Sequence, residues 1–441
     1  MAITIKGKEK KLIYAELILL VILGMSQYFG MTVVNLAIVF ALIGLYMLLP
    51  RKITAEALFI AMPFFNMFSY KLGTTSLFYL LIIVYCVRSL YSRTFQMPKK
   101  KLVVFLACCL FSLTIQDIAV WSKWALRFFL MVLLFKDESL EQSLENTMKY
   151  TSVSAILSSA VGYLMQVNGK SIYTRSYVYI QGMGSSTRFA GLIGDSVFYG
   201  QFIAVLIAVN LVLAYRNKQY GRFAHISSAI MAGFALLSIS KTAILLIAVE
   251  VTVYVCFQVQ KNAKRKKTVI KSVFLLAGVW IAILCLYGYV MTHPDNFIVK
   301  SFMTRFASKD LWTGRTSIAE TYMKWLAGNW KYWISGMPFS QYTEGIQSGS
   351  LVIKRAHNIF IETACVFGVI PGMTMLVSLV VYFCRQWWRY KVSLINYLPL
   401  VILAASGVSL HGHFEWHFYF LCSIVFACAH SGIKKEESVI L

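Results

Sequence analysis

The 441 residues are 59% hydrophobic and 14% charged, with a mean hydropathy of +0.67, a membrane-class composition that argues against a soluble chain of two or three domains. A formal net charge of +24 raises nucleic acid as a ligand, but the cations fall in short segments between apolar runs, which is the positive-inside pattern and leaves no nucleic-acid partner. The nine cysteines sit in or at the ends of those runs, so neither a disulfide framework nor a Cys-x-x-Cys metal site is indicated.

The N-terminal MAITIKGKEKK leads straight into an apolar stretch with no small-residue cleavage site, so the first helix is expected to be retained. From there apolar runs predict spans at 12–30, 33–50, 54–70 and 75–91, then 102–118 and 119–135, divided at Gln116-Asp117. Further runs lie at 150–167, 189–215, 223–239, 242–260 and 272–291, and the last three at 358–383, 393–410 and 414–431. Short-loop charge asymmetry then favours about fourteen spans with both termini cytoplasmic. The expected architecture is an all-α, polytopic membrane bundle of about 12–14 transmembrane helices. Helices one to eleven occupy 1–291, one large extracytoplasmic loop with an amphipathic helix occupies 292–357, and the last three spans with a cytoplasmic tail occupy 358–441. The two longest loops, 168–188 and 292–357, then face outward, and any chemistry should face that way.

Cations on the outer side need a reason other than topology, and an anionic ligand supplies one. Arg188 opens the eighth run in TRFAGLIGDSVFYG; on a helix Arg188, Gly191 and Asp195 form one stripe about 10 Å long. Either the stripe meets a ligand, or Arg188 snorkels and Asp195 is satisfied by a neighbouring helix. Lys241, in LLSISKTAILL, is either a plain turn cation or a contact to the same anion. In the large loop Ser317 and Glu320 read as a capping box and predict a helix over 318–333, with Ile318, Tyr322, Trp325 and Leu326 on one face. Such a stripe reads as an interfacial belt first and as a sugar-stacking surface second. Arg315 precedes this helix, near the N-terminal amides that favour anions.

The stretch KRAHNIFIETACVFGVIPG gathers Lys354, Arg355, His357, Asn358 and Glu362 at the mouth of an apolar run. Asn358 and Glu362 stand at i and i+4 and can hydrogen-bond, whereas His357 lies about 140° from Glu362 around the helix. With an ordinary pKa near 6.5, His357 can take or give a proton at neutral pH. Finally, SLHGHFEWHF places His411, His413, Glu415 and His417 in the last outer turn, a density open to zinc, to a polar cap or acceptor-site lining, or to plain interface.

Taken together, Arg188-x-x-Gly191 with Asp195, the Ser-x-Ser-Lys turn at 238–241, Gly314-Arg315 followed by Trp325 and Pro338, and His357-Asn358 with Gly368 resemble the O-antigen ligase and Wzy-type polysaccharide polymerase family. The shared pattern runs over roughly 185–372, while the first 150 residues match only as generic spans. The resemblance implies a GT-C-like glycosyltransferase of a bacterial cytoplasmic membrane. Its substrates would be undecaprenyl-diphosphate-linked glycans, serving as both donor and acceptor in capsule, exopolysaccharide or O-antigen synthesis. A flippase and a chain-length regulator would be its partners. Arg188 and Arg315 would bind the diphosphate and His357 would deprotonate or position the acceptor hydroxyl, with Lys241, Lys354, Arg355, Asp195, Asn358 and Glu362 lining the substrate. The family often carries Arg where this chain has Lys241, and Lys lacks the bidentate fork. No nucleotide-sugar motif or Asp-x-Asp is found, in keeping with a lipid-linked donor, no metal and no cofactor. A ligase of the same family and a lipid-linked oligosaccharide flippase are the alternatives.

Overall fold

A computed structural model describes residues 7–68, 76–91, 118–134, 138–168, 177–180, 184–262, 315–348, 351–353, 355–410, 412–413 and 415–440, with isolated positions between 270 and 292. The expected spans at 102–118 and 272–291 and much of the two long loops therefore lie outside the described residues. What is described is helical apart from two antiparallel hairpins, Tyr177–Ile180 with Gly184–Thr187 (β1, β2) and Ile346–Ser348 with Leu351–Ile353 (β3, β4).

The N-terminal half comprises α1 (Gly7–Tyr28), α2 (Thr32–Leu48), α3 (Arg51–Ala61) with a 3-10 turn over Met62–Phe68, α4 (Phe78–Tyr91), α5 (Ile118–Leu134) and α6 (Glu138–Val167). Next come α7 (Ser196–Arg216), α8 (Lys218–Leu237) and α9 (Lys241–Lys261). The large loop contributes α10 (Arg315–Gly328), α11 (Tyr332–Ser335) and α12 (Phe339–Glu344). The C-terminal part holds α13 (Ile359–Phe367), α14 (Val369–Tyr390), a 3-10 turn at Leu394–Tyr397, α15 (Leu398–Gly407) and α16 (Trp416–Ile440). Five of these helices, within α1, α7, α9, α14 and α16, are long and apolar enough to cross a membrane, and four shorter apolar helices accompany them.

Helix α7 is the pillar of the bundle. Its sequence is apolar all round rather than striped, and all of it from Ser196 to Ala214 is buried, as expected for a helix enclosed by others. Helices α8, α9 and α15 pack along it. Its polar side chains tie it to its neighbours: Asn210 donates to Ser152 Oγ (2.9 Å) and accepts from Tyr220 (2.6 Å), and Gln201 donates to Ser406 Oγ (2.7 Å). Helix α6 runs antiparallel to it. Ser159 meets Tyr199 at one end (2.7 Å), and Glu145 accepts from Asn217 at the other (2.9 Å). Helix α6 is also longer than the expected span 150–167, because Leu140, Leu144, Thr147 and Met148 of the polar-looking 138–149 segment continue the helix and bury.

Three expectations are corrected here. The run 189–215 does not begin as a helix: Gly191 (φ +54°) and Gly194 (φ +85°) adopt left-handed backbone, and the helix starts only after Asp195. The stripe of Arg188, Gly191 and Asp195 therefore does not exist. The run 358–383 is not one helix either, since Gly368 (φ +95°) separates α13 from α14. A Cβ there would come within 2.7 Å of the Trp333 and Ile334 carbonyls, so the chain folds back closely onto α11. Finally, the loop helix runs from Arg315 to Gly328 instead of over 318–333, so Ser317 lies inside it and Glu320 pairs with Lys324 (2.6 Å) in place of a capping box. Part of its apolar face turns inward: Tyr322 and Leu326 are buried in a second core with Trp124, Phe128, Phe339, Tyr342, Phe367 and Tyr419, while Met323, Trp330, Trp333 and Ile334 stand exposed.

Candidate functional site

The start of α7 is fixed by its own sequence. Asp195 accepts from the amides of Val197 (2.7 Å) and Phe198 (3.1 Å), a side-chain cap for two of the helix's free N–H groups. Asn66, in the first 3-10 turn, donates to the carbonyls of Leu192 and Ile193 (2.8 Å each), so the glycine-rich turn is tied down from the other side.

Arg188 is buried in this region. Its Nε donates to the Ser238 carbonyl (3.1 Å) and an Nη to that of Ile239 (3.3 Å). Those carbonyls close α8, whose C-terminal dipole favours a cation. The structure thus joins Arg188 to the Ser-x-Ser-Lys turn, which the sequence offered only as a second motif. Ser240 caps α9 through the Ala243 amide (3.4 Å), and Lys241, half-buried, is its first residue.

The 407–413 turn connects this half of the site to the other. On one side Thr242 and Ser409 hydroxyls meet at 3.4 Å, and the His417 ring packs on Phe198 at 4.7 Å between centroids. On the other side Asn358 donates to the Val408 carbonyl (3.0 Å), and Gly407 lies so close to Ile359 that a Cβ would come within 2.4 Å of its side chain. Asn358 also caps α13, accepting from Phe360 (3.0 Å) and Ile361 (3.2 Å).

Glu362 does not pair with Asn358. It is fully buried and accepts from the backbone amides of Gly412 and His413 (3.0 Å for the latter) and from the Tyr342 hydroxyl (3.1 Å), which in turn accepts from the Ala356 amide (3.2 Å). Burial, with Glu362 beside it, pushes the Tyr342 phenol well up, so it remains a donor. The carboxylate therefore clamps the 412–413 backbone to α13 and α12. Asn358 is turned instead to its cap and to Val408.

Arg355 forms an ion pair with Glu415 at 2.7 Å. Burial works against its charge, but Glu415 more than offsets this and its pKa is raised. Arg355 (φ +67°) and His357 (φ +47°) both occupy left-handed backbone, an uncommon conformation for residues with a Cβ. His357 is partly exposed between these two anchored neighbours. Of the remaining candidates, Arg315 opens α10 without a described side chain, and Lys354 lies outside the described residues.

The three described His/Glu positions of the last turn do not converge. His413 is buried between Thr363 (2.9 Å) and the Tyr419 hydroxyl (3.2 Å), Glu415 turns to Arg355, His417 packs on Phe198, and His411 lies outside the described residues. Burial lowers the His413 pKa, with Glu362 opposing. Among the described residues no group of three or more His, Cys, Asp or Glu is arranged to hold a metal.

Sequence reasoning missed Glu415 as the partner of Arg355, and Tyr342 as the second support of Glu362. It also set aside Arg127 of α5. The guanidinium of Arg127 lies 4.6 Å over the Trp416 ring and donates to the Tyr79 hydroxyl (3.1 Å). A cation inside an apolar run was the available signal, and an intramembrane cation is a functional candidate by default.

The arrangement can therefore present Lys241, Arg355 and a partly exposed imidazole around one clamped turn, with Arg188 behind it. Compared with family models, with curated proteins and with solved structures, the chain matches none.

Proposed function

We propose that the chain is a membrane glycosyltransferase that polymerises undecaprenyl-diphosphate-linked repeat units at the outer face of a bacterial cytoplasmic membrane. What supports the reading is that one clamped turn, 407–413, joins the Arg188 and Lys241 half to the Arg355, His357 and Glu362 half. On this reading the bundle is GT-C-like with about 12–14 spans and both termini cytoplasmic.

The acceptor hydroxyl oxygen bonds to the donor's anomeric carbon as the bond from that carbon to the phosphate oxygen breaks, and undecaprenyl diphosphate leaves. The hydroxyl proton passes to the His357 imidazole as general base. Negative charge grows on the leaving diphosphate, where fixed cations act most strongly in the transition state. Lys241, Arg315 and Lys354 are the cations assigned to it, and Arg188 acts on it from beneath the 238–241 turn. Arg355, held by Glu415, sets the left-handed backbone that presents His357.

Reconstitution with purified lipid-linked repeat units tests this: the intact protein should give a ladder of longer glycans. A folded His357→Ala or Arg315→Ala variant that laddered at the normal rate would remove that residue from the mechanism. Transfer only to a different acceptor, with no ladder, would make the protein a ligase. Transport of the lipid across liposomes without transfer would make it a flippase.

A further inference from the structure

At the other end of the bundle, two buried carboxylates on packed helices have three oxygens that no donor meets. The position follows from α6. Glu145 lies beside Asn217 at the foot of α7, Tyr150 comes one to two turns further on, and Ser154 a turn beyond, where its hydroxyl donates to the Ile60 carbonyl. Glu56 stands one turn before Ile60 on α3, level with Tyr150 and far from Asp195. Tyr14 of α1, two residues before Glu16, packs its ring on Tyr150 at 6.1 Å between centroids, and the charge of Glu56 acts on both Tyr150 and Glu16. Helices α1, α3 and α6 pack mutually around this point.

Glu16 is fully buried and Glu56 is 1% exposed. Tyr46 of α2 donates to one oxygen of Glu16 (2.8 Å). The other oxygen of Glu16 and both oxygens of Glu56 have no hydrogen-bond partner. A separate residue points the same way: Thr151, beside Tyr150 on α6, buries a hydroxyl that also has none. Orphaned oxygens from three packed helices are the donor set of a hard cation, and an ionised carboxylate is not sustained in such a place without one. Among the described side chains, the charged and titratable groups around it are Glu9, which acts on Glu56, the phenols of Tyr14, Tyr46 and Tyr150, and Arg88, whose guanidinium donates to the Tyr46 carbonyl and not to either acid.

We propose that Glu16 and Glu56 form a binding site for one monovalent cation, a proton or Na+, inside the bundle and remote from the candidate glycan site. One of the two acids carries its own proton, so the pair holds a single negative charge that the bound cation neutralises, and α1, α3 and α6 are held together through it. The proposal does not rest on the glycosyltransferase reading.

The full chain in lipid nanodiscs, with choline as the only other cation, is titrated with NaCl at constant ionic strength and its thermal unfolding followed. A Na+-dependent rise in the midpoint that is lost in Glu56→Gln and Glu16→Gln assigns Na+. No Na+ effect, with an infrared band of a protonated carboxyl near neutral pH that disappears in Glu56→Gln, assigns the proton. Because glutamine replaces an unsatisfied acid, the variants are expected to fold, and both wild-type measurements stand without them. Absence of both the Na+ effect and the protonated band overturns the site.

Discussion

Glu362 and Glu56 are both buried carboxylates, and their surroundings are opposite. Glu362 accepts from two backbone amides and a phenol, all aimed at it by the turn and loop that it clamps. Glu56 has neither hydrogen bond nor ion pair, and the charge of Glu9 acts against its own. The first is a finished structural joint that fixes geometry around His357, whereas the second is an incomplete one that asks for a cation. Burial of an acid is therefore not a functional signal in itself; what decides is whether the fold supplies its donors.

The largest effect expected from this contrast is at Glu362. Glu362→Ala leaves three buried donors unanswered at about 1–3 kcal/mol each, a loss of about 3–5 kcal/mol overall. Chemical denaturation in nanodiscs measures it, and a loss under about 1 kcal/mol would show that the clamp is weak.

Glu56→Gln should move stability the other way. In Na+-free, alkaline buffer, where no cation satisfies the acid, removing it should stabilise by about 1–4 kcal/mol. Destabilisation under those conditions would mean that Glu56 already has its donors, and the contrast with Glu362 would fail.

His413 supplies a smaller, pH-dependent test. Its folded pKa is depressed by burial below the ordinary 6.5. Below pH 6.5 the unfolded chain binds the proton more readily, so the stability contributed by neutral His413 is fully present above 6.5 and lost as pH falls toward the folded value. His413→Phe should flatten that acid limb in a pH series of unfolding midpoints; an unchanged limb would assign it to other groups.

The smallest stability effect belongs to the Arg355–Glu415 pair, whose side chains are 31% and 25% exposed. Glu415→Gln should cost no more than about 1 kcal/mol. If Arg355 presents His357, the same variant should nevertheless slow glycan transfer, and activity that falls only in step with stability would reduce the pair to a strut.

Much of the fold was legible because membrane helices announce themselves by apolar length. The elements at 7–28, 32–48, 241–261 and 416–440 fall close to their apolar runs. The misreadings occur where local signals compete. Ser317 and Glu320 have the letters of a capping box, but the helix already begins by Arg315, and Lys324 one turn away claims the Glu320 carboxylate. At 188–195, hydropathy says helix, while two left-handed glycines and an Asp cap postpone it to Ser196.

The site was legible as a set of polar groups at the ends of apolar runs, and not as a set of pairs. Sequence by itself determined that Arg188, the 238–241 turn, the 355–362 stretch and the 411–417 turn would each stand at such an end, since an apolar run has few other places for charge. Only the tertiary structure decided that Glu362 would bond to amides 50 and 51 residues away in preference to Asn358, four residues away. It likewise gave Glu415 to Arg355 and buried Arg188 against the end of α8. The reason is physical: hydropathy and helical period are local properties of the chain, whereas a hydrogen-bond partner is set by which helix ends the packing brings together.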